Sequence, residues 1–395
     1  MENNIYKEAE GLYHKMCEHV DFLEKNAETG FELANTKEYV KGQLEALGLD
    51  VREYGKCGLG ACIEGDAKGK TFLLRADMDA LLGIDPYEPD RAIHACGHHF
   101  HTTMLLGAAE ILSGSRLFSG TVKLMFQGAE EILEGASDMI SNGILENPAP
   151  DGAMMVHVMT GVNMPVGSVI VSPGGISAPA ADFFRVAVMG KGAHGALSHQ
   201  GIDTISAAAH IIIALNQIKA KETGINQAMG LSIGKISAGG AANALPQEVV
   251  FEGSLRSFDE NLRERVRNRI CEISENIGKA FMSKVEVSFL GGCPALKNDE
   301  KLSRLVNSWM NSILDEKKVI NISELGGGMS GGSEDFSYIS QRIPSVMVAV
   351  SAGDINDGYK YPLHNPNVCF DKRALISGAA AYAGIALKFL NSQCI

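Results

Sequence analysis

Tryptophan occurs once in this chain, and aromatic residues make up only 6% of it. The eight cysteines, at positions 17, 57, 62, 96, 271, 293, 369 and 394, contain no CxxC pair and no dense spacing. A disulfide framework is therefore not expected. Positive charge is in deficit: 35 Lys and Arg stand against 47 Asp and Glu, a net of -12. With no basic cluster, nucleic acid is excluded as an expected partner, because phosphate binding needs concentrated positive charge. No apolar run reaches the ~20 residues of a membrane span. The longest charge-free candidate, Ala374 to Leu387, is rich in Ala and Gly. The first residues, MENNIYKEAE, show no basic stretch leading into an apolar one. No secretory signal and no membrane partner are expected, and the expected location is the cytoplasm with reduced thiols.

What is present is an ordinary globular composition: 45% hydrophobic, 21% charged, mean hydropathy near zero. At roughly 150 residues per domain, 395 residues imply two or three domains. Helical periodicity runs over Ile5–Glu24, Thr36–Leu47 and Thr102–Leu112. Short apolar strands read at 60–63, 71–76, 122–127 and 153–158. Strands apolar on both faces and alternating with helices predict an α/β domain with a mostly parallel central sheet flanked by helices. From Asp182 the order becomes β-α-β-β-α-β, ending at Gly291-Gly292-Cys293-Pro294. That order predicts a ferredoxin-like α+β lid domain inserted into the larger one. The expected boundaries are 1–180 for the first part of the catalytic domain, 181–293 for the lid and 294–395 for the second catalytic part.

Chemistry concentrates in a few places. His94-Ala95-Cys96-Gly97-His98-His99-Phe100-His101 packs four histidines and a cysteine into eight residues, and these are ligands that zinc and similar ions prefer. Cys96 and His98 are two apart, so an extended loop would face both side chains one way. Asp79 follows a strand end, where it could orient a ligating imidazole. The strand at 122–127 leads into Glu130-Glu131. Alternation along a strand would send these two carboxylates in different directions. One would then serve as ligand while the other takes a proton from water. His157, in an apolar strand, and His364, after the last strand, fall on the same strand-end side. The tract Gly326–Gly332 contains a GxSxG pattern. A serine-hydrolase reading through Ser330 leaves the Cys/His cluster and the glutamate pair idle. Backbone at Gly328 approaching a bound ligand is the preferred reading.

Five motifs then appear in order: Arg75–Leu81 (RADMDAL), His94–His98 (HACGH), Phe126–Glu131 (FQGAEE), Gly190–His194 (GKGAH) and Ser333–Ser337 (SEDFS). Together they resemble the amidohydrolase branch of the aminoacylase/carboxypeptidase metallohydrolases, over nearly the whole chain. The resemblance implies two divalent metal ions per chain, zinc or manganese, with cobalt or nickel as further options. It implies Cys96, His98, Glu131, His157 and His364 as ligands, Glu130 as general base, and Asp79 and His99 just behind the ligands. It further implies that His194 stabilises the oxyanion and that Asn243 and Arg256 contact substrate, alongside Gly328 from the glycine-rich tract. The implied substrate is an N-acyl amino acid, with a dipeptide or N-acetyl-diaminopimelate as alternatives, and the implied assembly is a homodimer through the lid. Three positions depart from the pattern: His99 replaces the usual Asp, Gly128 a usual Pro, and Ser198 a common Pro. The His99 departure motivates an alternative of another class, a ligand-binding protein with an inactivated metal site.

Overall fold

A computed structural model describes residues 2–314, 318–320 and 332–392. Two compact units are present. The larger comprises 1–177, 297–329 and 335–395 in its described parts, and the smaller comprises Ala178–Leu296 with 332–334.

The larger unit is built on an eight-stranded sheet. Its order is Arg52–Tyr54, Gly58–Glu64, Ser119–Gln127, Ala67–Asp77, Gly152–Met159, Ser345–Ser351, Val169–Val171 and Val319–Ile320. The centre is parallel: Ala67–Asp77 pairs in parallel with both of its neighbours, and Gly152–Met159 with Ser345–Ser351. Antiparallel pairs flank that centre. Seven consecutive residues, Thr71 to Asp77, are buried. A strand buried on alternate sides must be covered on both faces, which explains the consecutive apolar residues Phe72, Leu73 and Leu74. The helices His98–Gly114 and Ala374–Asn391 supply much of the shared core, through residues such as Met104, Leu105, Ala379 and Phe389. The second of these helices runs past the stretch expected to be too short, to Asn391, and by length and composition alone it could cross a membrane; most of it is buried in this core.

The smaller unit is an antiparallel four-stranded sheet in the order Met229–Ala238, Glu248–Ser257, Ala180–Met189, Lys284–Cys293. The helices Thr204–Gln217 and Glu260–Ala280 cover one face through Ala207, Ile211, Val266 and Ile270, which pack on Phe184, Val186 and Phe251. Both helices start on an aspartate whose carboxylate accepts a main-chain N–H: Asp203 from Ser206 and Asp259 from Leu262. Buried Asp182 anchors the second helix, accepting from Arg263 at 2.7 and 2.9 Å and from Arg267 at 2.5 Å.

Two local expectations are corrected. The single helix expected over Ile5–Glu24 is two helices, Glu2–Gly11 and Tyr13–Lys25, broken where Gly11 weakens the helix. The helix expected at Thr102 starts four residues earlier, at His98. Much of the histidine cluster is therefore helical.

Candidate metal centre and active site

The carboxyl ends of the parallel strands carry the chemistry, as is usual for open α/β sheets. One strand ends at Asp77 and leads to Asp79, a second ends at Gln127 and leads to Glu130-Glu131, and a third carries His157. The helix His98–Gly114 adds its first turn. Cys96 and His98 are brought together by a left-handed turn at Gly97, φ +89°, not by an extended loop. A Cβ at Gly97 would lie 2.3 Å from Val158 Cγ2, so glycine is required on both conformational and steric grounds.

Two donor groups share Cys96. One is Cys96, His98 and His157; the other is Cys96, Glu131 and His364; within each, the donor atoms lie within 4.8 Å of one another. His157 Nδ1–H donates to the Val158 carbonyl at 2.8 Å, which directs Nε2 toward Cys96 Sγ, 3.6 Å away. His364 Nε2 is 3.8 Å from Glu131 Oε2. His364 itself has φ +63°, and its N–H donates to the Ala95 carbonyl at 2.8 Å. Left-handed conformations of such residues are costly and concentrate at functional sites.

The divergence expected of Glu130 and Glu131 does not occur. Ala129 adopts φ +57°, so the chain leaves the strand before the pair is reached. Both carboxylates come near His98 Nε2, Glu130 Oε2 at 3.8 Å and Glu131 Oε1 at 3.7 Å. Asp79 holds this turn. Its oxygens accept the N–H groups of Glu130 and Glu131, each at 3.1 Å, and Oδ1 lies 3.4 Å from His98 Nδ1.

The electrostatics suit a cation. His98 is fully buried, and neither ring nitrogen makes a well-formed hydrogen bond; Glu131 Oε1 is in the same state. Such orphaned polar atoms are rare in folded proteins and need a partner. Burial opposes charge on His98, yet Asp77, Cys96 and Asp79 together hold its pKa well above the usual value. Burial, with Asp79 and Asp77 adding to it against His98, raises Glu131 to about 7. Burial also pushes the Cys96 thiol up. Thiol, imidazole and carboxylate donors around uncompensated atoms fit divalent metal ions.

His99 joins none of these donor groups. It stacks on His94 at 4.7 Å and meets Phe370 edge-on at 5.5 Å. Burial drives both imidazoles toward neutrality, His94 to about 3. Gly128 has an equally local reason: a Cβ there would lie 2.4 Å from Leu33 Cδ1 and 2.5 Å from Cys57 Sγ.

His194, Asn243 and Arg256 belong to the smaller unit. The first two are brought together: Ala193–His194 pairs with Ala244–Leu245, and the Gly195 N–H donates to the Asn243 carbonyl at 2.7 Å. His194 is exposed, and its Nδ1 accepts the Ala196 N–H at 3.2 Å. Arg256 Nη1 donates to Ser333 Oγ, and its guanidinium lies 5.6 Å from the Phe183 ring. Gly328 and Ser330 lie outside the described residues.

Sequence reasoning missed a buried polar chain beneath the donor groups. Arg75, fully buried, donates from Nη1 to Asp77 Oδ2 and from Nη2 to Asp335 Oδ1, each at 2.7 Å, and from Nε to Gln127 Oε1 at 2.9 Å. Asp77 Oδ1 meets His101 Nδ1 at 2.5 Å. The signal was an arginine in an otherwise apolar strand, which demands buried partners.

A pattern describing peptidase family M20/M25/M40 matches residues 73–388. The chain belongs to this family. Within M20 it is similar to N-acetyl-L-cysteine deacetylase of Bacillus subtilis (strain 168), with 33% identity over 94% of this chain and 87% of that protein. It is 31% identical to hippurate hydrolase of Campylobacter jejuni over 93% of this chain and 95% of that one. These relatives place it in the amidohydrolase branch of M20, and as a member of a peptidase family it is a hydrolase. Among solved structures, the Bacillus subtilis YxeP protein, described as a dinuclear metal binding peptidase from the M20 family, superposes with a TM-score of 0.76. The two are 25% identical, over 98% of this chain and 100% of that one. The layered sheet with an added smaller unit is thus the M20 fold.

Proposed function

We propose that this protein is a metal-dependent amidohydrolase that releases the amino acid from an N-acyl amino acid. The observation that carries this is Cys96 as the member common to two donor groups, with Glu130 beside His98. The relatives that act on N-acetylcysteine and hippurate support the substrate class. Cys96, His98 and His157 would hold one divalent ion, and Cys96, Glu131 and His364 the other. Thiolate and imidazole favour zinc, while the carboxylate admits manganese. When bound, such ions activate water and polarise the amide carbonyl. Glu130 takes the proton of the attacking water and delivers it to the leaving amine. Asp79 keeps Glu130 in place through its N–H and orients the His98 imidazole. His194 is assigned to the developing oxyanion, Asn243 and Arg256 to the substrate, with the arginine taking its carboxylate. Assembly as a homodimer through the smaller unit belongs to the same reading.

The test is a panel of N-acetyl, N-benzoyl and N-indoleacetyl amino acids and dipeptides, with and without chelator. Chelator-sensitive release of free amino acid from N-acyl substrates is expected. Cleavage of dipeptides alone would overturn the substrate class.

A further inference from the structure

Asp77 and His101 lie beneath the donor groups, and the mechanism above uses neither. His101 is fully buried between two proposed ligands, its ring centre 4.5 Å from that of His157 and 5.3 Å from that of His98. Its position invites a reading as a further ligand, but both of its nitrogens are committed. The Val158 N–H donates to Nε2 at 2.8 Å, so Nε2 carries a lone pair. The proton of the neutral ring is then on Nδ1, which donates to Asp77 Oδ1 at 2.5 Å. Asp77 is itself held fast. Arg75 Nη1 engages its Oδ2 at 2.7 Å, and Thr102 Oγ1 donates to its main-chain carbonyl at 2.6 Å.

The peptide groups on either side of Val158 Cα are thereby pinned by two histidines. Its N–H is held by His101, and its carbonyl accepts from His157 Nδ1. The second bond sets the His157 tautomer and leaves Nε2 toward Cys96. We propose that His101 is a positioning residue of the metal centre: it takes no metal, and it aims His157 by clamping the Val158 main chain through a relay from Arg75 and Asp77. The proposal rests on the metal reading above. It predicts a selective effect, because His157 belongs to only one of the two donor groups.

Cobalt(II) is the probe, with affinity measured against a chromophoric chelator and geometry by visible absorption. The variants are His101→Gln and His101→Met, which match in length and volume. Gln keeps an N–H donor and an oxygen acceptor; Met keeps no donor and only a weak sulfur acceptor. Wild type should bind two equivalents. His101→Met should weaken one of them by ~10–100-fold and change its absorption band, the scale seen when a ligand's outer partner is lost. His101→Gln should restore most of the affinity and the band. Unchanged binding by His101→Met, or a Gln variant as weak as Met, overturns the proposal while leaving the metal reading intact. Failure of wild type to bind cobalt would take down both. Should His101→Met not fold, nitrogen-15 histidine spectra of wild type still decide. The imidazole signal lost in His101→Gln must report the Nδ1–H tautomer, and an Nε2–H or mixed tautomer overturns the assignment.

Discussion

Replacing Arg75 with methionine removes the cation from two fully buried ion pairs of the larger unit. Arg75, Asp77 and Asp335 are all fully buried, and the two ion pairs measure 2.7 Å each. Methionine fills much of the volume but leaves two buried carboxylates without the guanidinium. Breaking a buried pair from one side costs about 3–5 kcal/mol. The other partners keep this from doubling: His101 still bonds Asp77, while Gln127 and the Ala136 N–H still bond Asp335. For a domain of this size, where 1 kcal/mol moves Tm by about 2–4 °C, the loss is roughly 6–20 °C. The single tryptophan makes the assay local, because Trp309 packs against the core of the larger unit. Urea unfolding of metal-free protein, followed by its fluorescence, reads that unit. The pH dependence has a definite sign. Against its burial, Asp77 is held well below the ordinary carboxylate range, by His98 and His101 first and by Arg75 after them. Removing Arg75 takes away part of that lowering, whose stabilisation is present above the unfolded aspartate pKa and is lost as pH falls through the folded one. The deficit should therefore be larger at pH 8 than below about pH 4, the ordinary aspartate value. A loss under about 1 kcal/mol at pH 8, or a deficit that grows on acidification, would refute the assignment of Arg75 as the compensating charge.

The glutamate pair should separate by function. Glu130→Gln should retain metal and lose roughly 10²-fold or more in kcat, the scale of general-base catalysis, whereas Glu131→Gln should lose metal; equal metal loss in both reverses the roles. Metal binding should release protons. Burial and the flanking aspartates raise Glu131 to about 7; Asp77, Cys96 and Asp79 together outweigh burial and hold the His98 pKa well above its usual value; and burial pushes the Cys96 thiol up. All three protons must leave before these groups ligate. Apparent affinity should therefore fall as pH drops below 7, and calorimetric titration in buffers of different ionisation enthalpy should count more than one proton released. Affinity that stays flat from pH 5.5 to 8 would contradict this. Gly128→Ala should cost about 1–3 kcal/mol through overpacking against Leu33 and Cys57, measured by thermal unfolding, and Cys57→Ala in the same chain should recover part of it. No cost would show that the neighbours yield freely.

Much of this site was legible because its signals are local. Cys96, His98 and the glutamate pair stand close to strand and helix ends, and residue type alone marks them. The inserted unit was legible from the order of its elements. What the chain conceals is set by backbone turns and distant partners. Glu130 and Glu131 converge because Ala129 takes a left-handed φ, which strand alternation does not anticipate. Arg75 finds Asp335 260 positions away, so the charge was visible but its partner was not. His101 looked like one more member of a histidine cluster, and only the bonds at both nitrogens separate it from the proposed ligands. His99 sits beside His98 in sequence, yet it stacks on His94 outside both donor groups.

The central claim is that hydrolysis depends on divalent metal held by these side chains, and a reconstitution titration tests it most directly. Protein stripped of metal, verified by elemental analysis, is titrated with zinc or manganese while hydrolysis of an N-acyl amino acid is followed. The account predicts no turnover at zero metal, full turnover by two equivalents per chain, and no recovery at any metal concentration in Cys96→Ala. Full activity in verified metal-free protein, or a Cys96→Ala variant that turns over like wild type, would contradict it.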